Sequence, residues 1–172
     1  MANFSFALDD IPSDEAIIKQ LLSNREKLES NCDVFGDKDP WMLFDKDAPL
    51  VHYVFVDLRK RKEINNGKRV KRTAGCGTWT YRVSKKVCNS EGQHIGFKRF
   101  RVFQPIGGDM ADNGRWVMNE YLTTEYGDDY VLCAIRNKVL EPRREKRILA
   151  YGDGCVIDIT TGEKIDIDEP NE

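Results

Sequence analysis

From Leu50 to Leu58 the chain is apolar on both faces of an extended backbone, the pattern of a central strand covered on two sides. Ahead of it the periodicity is helical, with Ile17, Ile18, Leu21, Leu22 and Leu28 falling on one side of a helix. Ser13 can cap the first orphan N–H groups, and Asp14 and Glu15 suit the positive end of the helix dipole. A helix is therefore predicted over 13–28. Asp39-Pro40-Trp41 interrupts regular structure, with the tryptophan as a packing anchor. Asn65-Asn66-Gly67 is a turn signal, because Asn and Gly tolerate positive φ. Further strands are predicted near 77–83, 95–103, 114–122 and 130–136, separated by polar, glycine-containing breaks at 89–92, 107–109 and 125–128. A helix followed by a run of strands predicts an α+β fold, an antiparallel sheet with helical cover rather than alternating βαβ units.

After Lys138 the texture changes. Residues 141–147 form a charged linker. The alternating stretches Val156-Ile-Asp-Ile-Thr and Lys164-Ile-Asp-Ile-Asp flank Thr161-Gly162 as a small hairpin would. The acidic end, Asp166 to Glu172, is expected to stay solvated.

Charge adds what the hydropathy pattern lacks. Between Arg59 and Arg101 stand fourteen basic residues against two acidic ones, Glu63 and Glu91, whereas the rest of the chain holds thirteen basic against twenty-seven acidic. A concentrated positive field attracts a polyanion whatever the net charge of −2 suggests. The cations are interleaved with Trp79, Tyr81, Phe97, Phe100 and strand-forming residues, so the pattern predicts a nucleic-acid-binding surface built on β-structure. Trp79 reads as core rather than as a base-stacking platform. Tyr81 shares its face by two-residue alternation, leaving Thr80 and Arg82 on the other side to approach DNA. Arg82 is suited to a bidentate contact with guanine and at least equally to a contact with a phosphate.

Several other chemistries fall away. The 172 residues suit one domain with a short tail. The N-terminus shows no signal-peptide pattern and no apolar run is long enough for a membrane span, so neither secretion nor a membrane partner is expected. Five cysteines (Cys32, Cys76, Cys88, Cys133, Cys155) lack paired spacing and read as reduced thiols, with Cys76 a small strand residue rather than a redox switch. His52 and His94 are isolated, so no metal site is expected. Asp128-Asp129 reads as a turn and pairing feature, since neighbouring strand residues face opposite ways. No nucleophile–base–orienter set is visible, so no enzyme, cofactor or small-molecule substrate is expected. The clusters Arg59-Lys-Arg-Lys62 and Arg143-Arg-Glu-Lys-Arg147 each fit the short basic pattern of a nuclear-import signal.

The order of segments resembles the NAC domain of plant transcription factors over residues 4–138, with 139–172 as linker and tail. Asp33-Val-Phe-Gly-Asp-Lys-Asp-Pro-Trp41 resembles that family's D-(V/L)-Y…D-P-W, and His52-Tyr-Val-Phe55 its W-Y-F-F strand. Asn66 to Trp79 is similar to N-G-x-R-P-N-R-A-x-G-x-G-Y-W. Ile95 to Phe103 matches (I/V)-G-x-K-(K/R)-x-L-V-F. Arg115 to Tyr121 resembles W-V-M-H-E-Y, and Asp128 to Ile135 resembles D-D-W-V-L-C-R-I.

The resemblance implies a twisted antiparallel sheet packed between helices, with the W-K-A-T-G-x-D edge in the DNA major groove. Here Thr80-Tyr-Arg-Val-Ser-Lys-Lys86 follows Trp79, replacing nearly all of that motif with bulkier residues, and Asp109 and Asp112 weaken the usual basic loop. The resulting expectation is a nuclear, dimeric regulator binding double-stranded DNA through Arg69, Lys71, Arg72, Thr80, Arg82, Lys85, Lys86, Lys98 and Arg99, with altered sequence preference. The resemblance also implies a homodimer, or a heterodimer with other NAC proteins. Its interface would use Phe4, Ser5 and Phe6, with serine in place of the family's arginine, and acidic residues at Asp14 and Glu15. The alternative is an adaptor or dominant-negative protein of the same fold that pairs but does not read DNA.

Overall fold

Five long strands and two short ones build a seven-stranded antiparallel sheet, whose central strands are buried on both faces while much of one outer strand is exposed. The computed structural model describes residues 3–7, 10–23, 32–64, 70–107, 113–140, 149–152, 155–158 and 164–165. The chain divides into two compact units, 1–141 and 142–172. In the first, the elements run β1 (Asn3–Ala7), α1 (Asp14–Ser23), α2 (Pro40–Leu43), β2 (Leu50–Asp57), α3 (Arg59–Ile64), β3 (Thr73–Ala74), β4 (Gly77–Cys88), β5 (His94–Pro105), β6 (Trp116–Thr123) and β7 (Gly127–Asn137). The sheet order is β1-β2-β7-β6-β5-β4-β3. The second unit holds a three-stranded antiparallel sheet of β8 (Leu149–Gly152), β9 (Cys155–Asp158) and β10 (Lys164–Ile165).

The two-faced apolar strand at 50–58 lies where its pattern predicts. As β2 it runs between β1 and β7, sending Val54 and Val56 into one core cluster and Val51, Tyr53 and Phe55 into the other. The second cluster is closed by Ile17, Ile18 and Leu21 of α1. Ser13 accepts a hydrogen bond from the Ala16 N–H at 3.2 Å, the expected cap. α1 seats closely because Gly96 lies beneath it: a Cβ there would come within 2.8 Å of Ile18 Cδ1 and 2.1 Å of the Leu122 carbonyl oxygen. The described helix ends at Ser23, and the remainder of the predicted 13–28 span lies outside the described residues.

The first cluster, on the opposite face, is packed by Val34 and Phe35 in turns and by Trp41, Leu43 and Phe44 in and after the four-residue α2. Cover on this face is therefore a turn-rich segment. Asp39, ahead of Pro40, accepts a hydrogen bond from the Cys76 N–H at 2.8 Å and clamps the β3–β4 turn. Gly75 holds φ +49° within that turn, and a Cβ there would meet Asp39 Oδ1 at 2.2 Å. The Asp-Pro-Trp segment thus fixes the start of β4, the strand on which the candidate surface is built. Five of these elements were not predicted: β1, β3, β8, the helix α3 inside the basic block, and α2, which forms where Pro40 was expected to interrupt regular structure.

Candidate nucleic-acid interface

β4 pairs with β5 along its whole length, but on its other side β3 covers only Gly77 and Thr78. One further backbone bond, from the Trp79 N–H to the Arg72 carbonyl at 2.8 Å, closes that junction. Beyond it, Thr80 to Cys88 have no strand on their outer side among the described residues. This open edge is where the sequence places Thr80, Arg82, Lys85 and Lys86.

Trp79 is core. It is buried, packs edge-on to Phe103 at 5.2 Å, and donates its indole N–H to the Val34 carbonyl at 3.2 Å. Thr80 is half-buried on the opposite face, donating its hydroxyl to Gln104 Oε1 at 2.7 Å. Simple alternation then breaks. The register shifts between Tyr81, opposite Arg101, and Val83, opposite Phe100, leaving Arg82 as an extra residue without a cross-strand partner. Arg82 thus sits at the bulge, within a run from Tyr81 to Lys86 whose side chains are all exposed. Tyr81 and Val83 beside it are 47% and 45% exposed. After the bulge, Ser84 faces Arg99 and Lys85 faces Lys98 in register.

Among the described residues, many cations of the basic block are engaged by the protein's own carboxylates, which narrows the surface expected from charge alone. In α3, Arg59 pairs with Asp57 at 2.8 Å, Lys62 with Asp129 at 2.7 Å, and Arg61 with Asp33. Arg72, expected at a phosphate, is instead buried. Its guanidinium grips Glu120 through Nε at 2.9 Å and Nη2 at 3.0 Å and donates to the Val70 carbonyl at 2.8 Å. Arg101 donates to the same carboxylate at 3.1 Å, and Arg99 approaches it to 3.9 Å. Burial pushes the Glu120 carboxyl up, but the hydrogen bonds and charges of Arg72 and Arg101 outweigh it and hold the group below the ordinary carboxylate range. Lys98 is committed to α1, donating to Asp14 Oδ1 at 2.9 Å beside the Tyr121 hydroxyl, which donates to the same oxygen at 2.7 Å.

What remains is smaller and localised. Lys71, Arg82, Lys85 and Lys86 are exposed and form no ion pair among the described residues, and Arg99 is half-buried. Arg69, Asp109 and Asp112 lie outside the described residues.

At the other end of the sheet, Phe4, Ser5 and Phe6 form an edge strand paired in register with Tyr53, His52 and Val51. The Ser5 hydroxyl lies 2.9 Å from His52 Nδ1. Glu15 pairs with Lys19 at 2.9 Å within α1, and Asp14 faces Lys98 and Tyr121, so neither carboxylate of the expected interface is unengaged.

Sequence reasoning missed Glu120 and Arg101 as a pair. The available signal was an acid in an apolar strand and an arginine where the resembled motif has leucine. Among the described residues no group of His, Cys, Asp and Glu is arranged to hold a metal ion. Cys76 is exposed, yet hydrogen bonding to Asp39 pushes its thiol up. A higher thiol pKa means less thiolate at pH 7. Iodoacetamide should therefore modify Cys76 more slowly than an ordinary exposed thiol, and Asp39→Asn should accelerate the reaction. Equal rates in peptide mapping of parent and variant would contradict this.

Comparison with known proteins bears on the same residues. The family model described as No apical meristem (NAM) protein matches residues 4–123. NAC domain-containing protein 72 of Arabidopsis thaliana is 28% identical over 149 residues, covering 78% of this chain and 50% of its own length. NAC domain-containing protein 19 of the same plant is 31% identical over 143 residues, covering 74% and 44%. NAC domain-containing protein JA2L of Solanum lycopersicum is 31% identical over 143 residues, covering 74% and 40%. The chain thus spans half or less of the length of these curated relatives.

Proposed function

This chain belongs to the NAM/NAC domain family of plant proteins, and from that premise we propose that it is a nuclear transcription regulator that binds duplex DNA along the open edge of β4. One observation carries the reading: Arg82, Lys85 and Lys86 are exposed on an unpaired strand edge, with no acidic partner among the described residues. Lys71 adjoins the same strand's start, and Arg69, two residues before it, adds charge by sequence. Phosphates supply most of the affinity of such a surface. Arg82, at the bulge, is the residue assigned to base edges, and Tyr81 and Val83 change the fit there relative to the small residues of the resembled motif. Thr80 contributes through Gln104, which holds its hydroxyl. Arg72, Arg101 and Lys98 act as supports: the first two anchor on Glu120, and the third ties β5 to α1. Pairing between chains, with itself or with other members of the family, would use the β1 edge through Phe4 to Phe6.

A second reading is favoured by one feature, the exposed bulk of Tyr81 and Val83 at the place where a strand edge would enter a groove. On that reading the fold is kept for pairing with other proteins and reads no DNA sequence. Selection from random duplexes with the purified chain separates the two: an enriched motif supports the first, and none from folded protein supports the second. Salt titration tests the electrostatics directly. The four exposed cations Lys71, Arg82, Lys85 and Lys86 should give a slope of about −3.6 in log affinity against log salt, at ~0.9 per phosphate neutralised. Binding that is flat across that titration would refute the surface.

A further inference from the structure

Ser84 stands at the centre of the exposed cations, and its side chain is exposed with no hydrogen bond among the described residues. The register sets it directly opposite Arg99 on β5, whose own cross-strand neighbour on β6 is Glu120. Side chains so paired stand ~5 Å apart at Cβ. Arg82 precedes Ser84 by two residues, and Lys85 and Lys86 follow it. Across the strand three guanidiniums, those of Arg72, Arg99 and Arg101, share the single carboxylate of Glu120. Two of the three are buried with it, so the outermost one, Arg99, lies at the rim of a local positive excess. An anion set beside Arg99 would offset that excess, and Ser84 is the hydroxyl able to carry one. Thr80 is held by Gln104, and Ser90 is followed by an acid, Glu91.

We propose that Ser84 is a phosphorylation site whose phosphate docks on Arg99 and discharges the β4 edge. The enzyme would be a serine kinase that selects basic residues around its acceptor. Ser84 Oγ attacks the γ-phosphorus of ATP, the new O–P bond forms as the β–γ bridging bond breaks, ADP leaves, and the hydroxyl proton passes to the kinase's base. The product carries about −1.5 to −2 charge at pH 7. That cancels about half of what Arg82, Lys85, Lys86 and Arg99 present, so polyanion binding is switched down without unfolding the sheet.

The docking half of this proposal is independent of DNA, and the switching half rests on the duplex-binding reading. The experiment therefore has two readouts on the full chain, with phosphoserine installed at position 84. In a ³¹P NMR titration the second phosphate pKa should fall at least half a unit below its value in the urea-unfolded chain, and R99A should return it. An unshifted pKa, or a shift that survives R99A, overturns the docking. In anisotropy with a labelled duplex, the phosphorylated chain should bind at least tenfold more weakly near 0.1 M salt. Its salt slope should be lower by about 1.5, while S84A binds like the parent. Unchanged affinity and slope overturn the switch. If the unmodified chain binds no duplex, the duplex-binding reading and the switch fail together, and the NMR result still decides the docking. An arginine-directed kinase should also modify folded parent and not folded S84A; modification of the unfolded chain alone removes Ser84 as a site.

Discussion

Replacing Glu120 by alanine should destabilise the 1–141 unit by roughly 3–5 kcal/mol, the cost of leaving buried guanidiniums without their carboxylate. Glu120 is 0% exposed, and Arg72 and Arg101 are 8% and 5% exposed. Neither arginine has water to turn to once the carboxylate is gone. Urea denaturation followed by the fluorescence of buried Trp79 and Trp116 reads this directly. A parent-like midpoint for the variant would show that the cluster is not structural. Glu120→Gln should also destabilise, because it keeps the shape but not the charge. Replacing Glu120, Arg72 and Arg101 together by leucine should recover much of the loss, since a buried ion cluster contributes little beyond an apolar one of similar volume.

The same cluster gives stability a pH dependence of definite sign. Glu120 has a folded pKa below its unfolded value, which is near 4.3 for a free glutamate. Its contribution is therefore fully present above that unfolded value and is lost as pH falls through the depressed folded one. The parent should lose this stability on acidification, and the all-leucine variant should lack that component.

The second large effect is electrostatic. Neutralising Arg82, Lys85 and Lys86 together should cut the salt slope of duplex binding by about 2.7 and weaken binding near 0.1 M salt by between two and three orders of magnitude. All three side chains are exposed and free of ion pairs among the described residues, so their loss should leave the denaturation midpoint unchanged. Arg82→Ala alone should also relax sequence preference, since a bidentate base contact discriminates by ~1–3 kcal/mol. Arg72→Ala is the contrasting case. It too should reduce binding, but by lowering the folded fraction rather than by removing a phosphate contact. Anisotropy at several salt concentrations, paired with urea melts, separates the two mechanisms. A triple variant that keeps the parent slope would remove β4 from the interface.

Much of the sheet was legible because apolar, strand-forming runs alternate with polar breaks along the chain. The β2 pattern announced a strand covered on both sides, and the polar, glycine-containing breaks at 89–92, 107–109 and 125–128 separated the others. β1 was legible only as two aromatics around a serine, since five residues carry too little periodicity to separate an edge strand from a loop. α3 was hidden by its charges, four cations in a row that read equally well as a loop or an import signal. The site was less legible than the fold. Counting charge could not distinguish Lys85, which faces solvent, from Arg72, which grips Glu120 from 48 residues away. Nor could alternation foresee the bulge at Arg82, because a register shift depends on the partner strand.

By itself the sequence determined which stretches extend, which helix caps itself at Ser13, and that positive charge concentrates between Arg59 and Arg101. These are local properties, fixed by side-chain period and composition. Tertiary structure alone decided which of those cations remain available. Pairing needs an acid brought alongside, and Asp14, Asp33, Asp129 and Glu120 reach their partners only when distant strands and helices meet. Among the described residues, one long basic block in the sequence therefore becomes a short basic edge, because the fold sets most of the other described cations against carboxylates of its strands, turns and first helix.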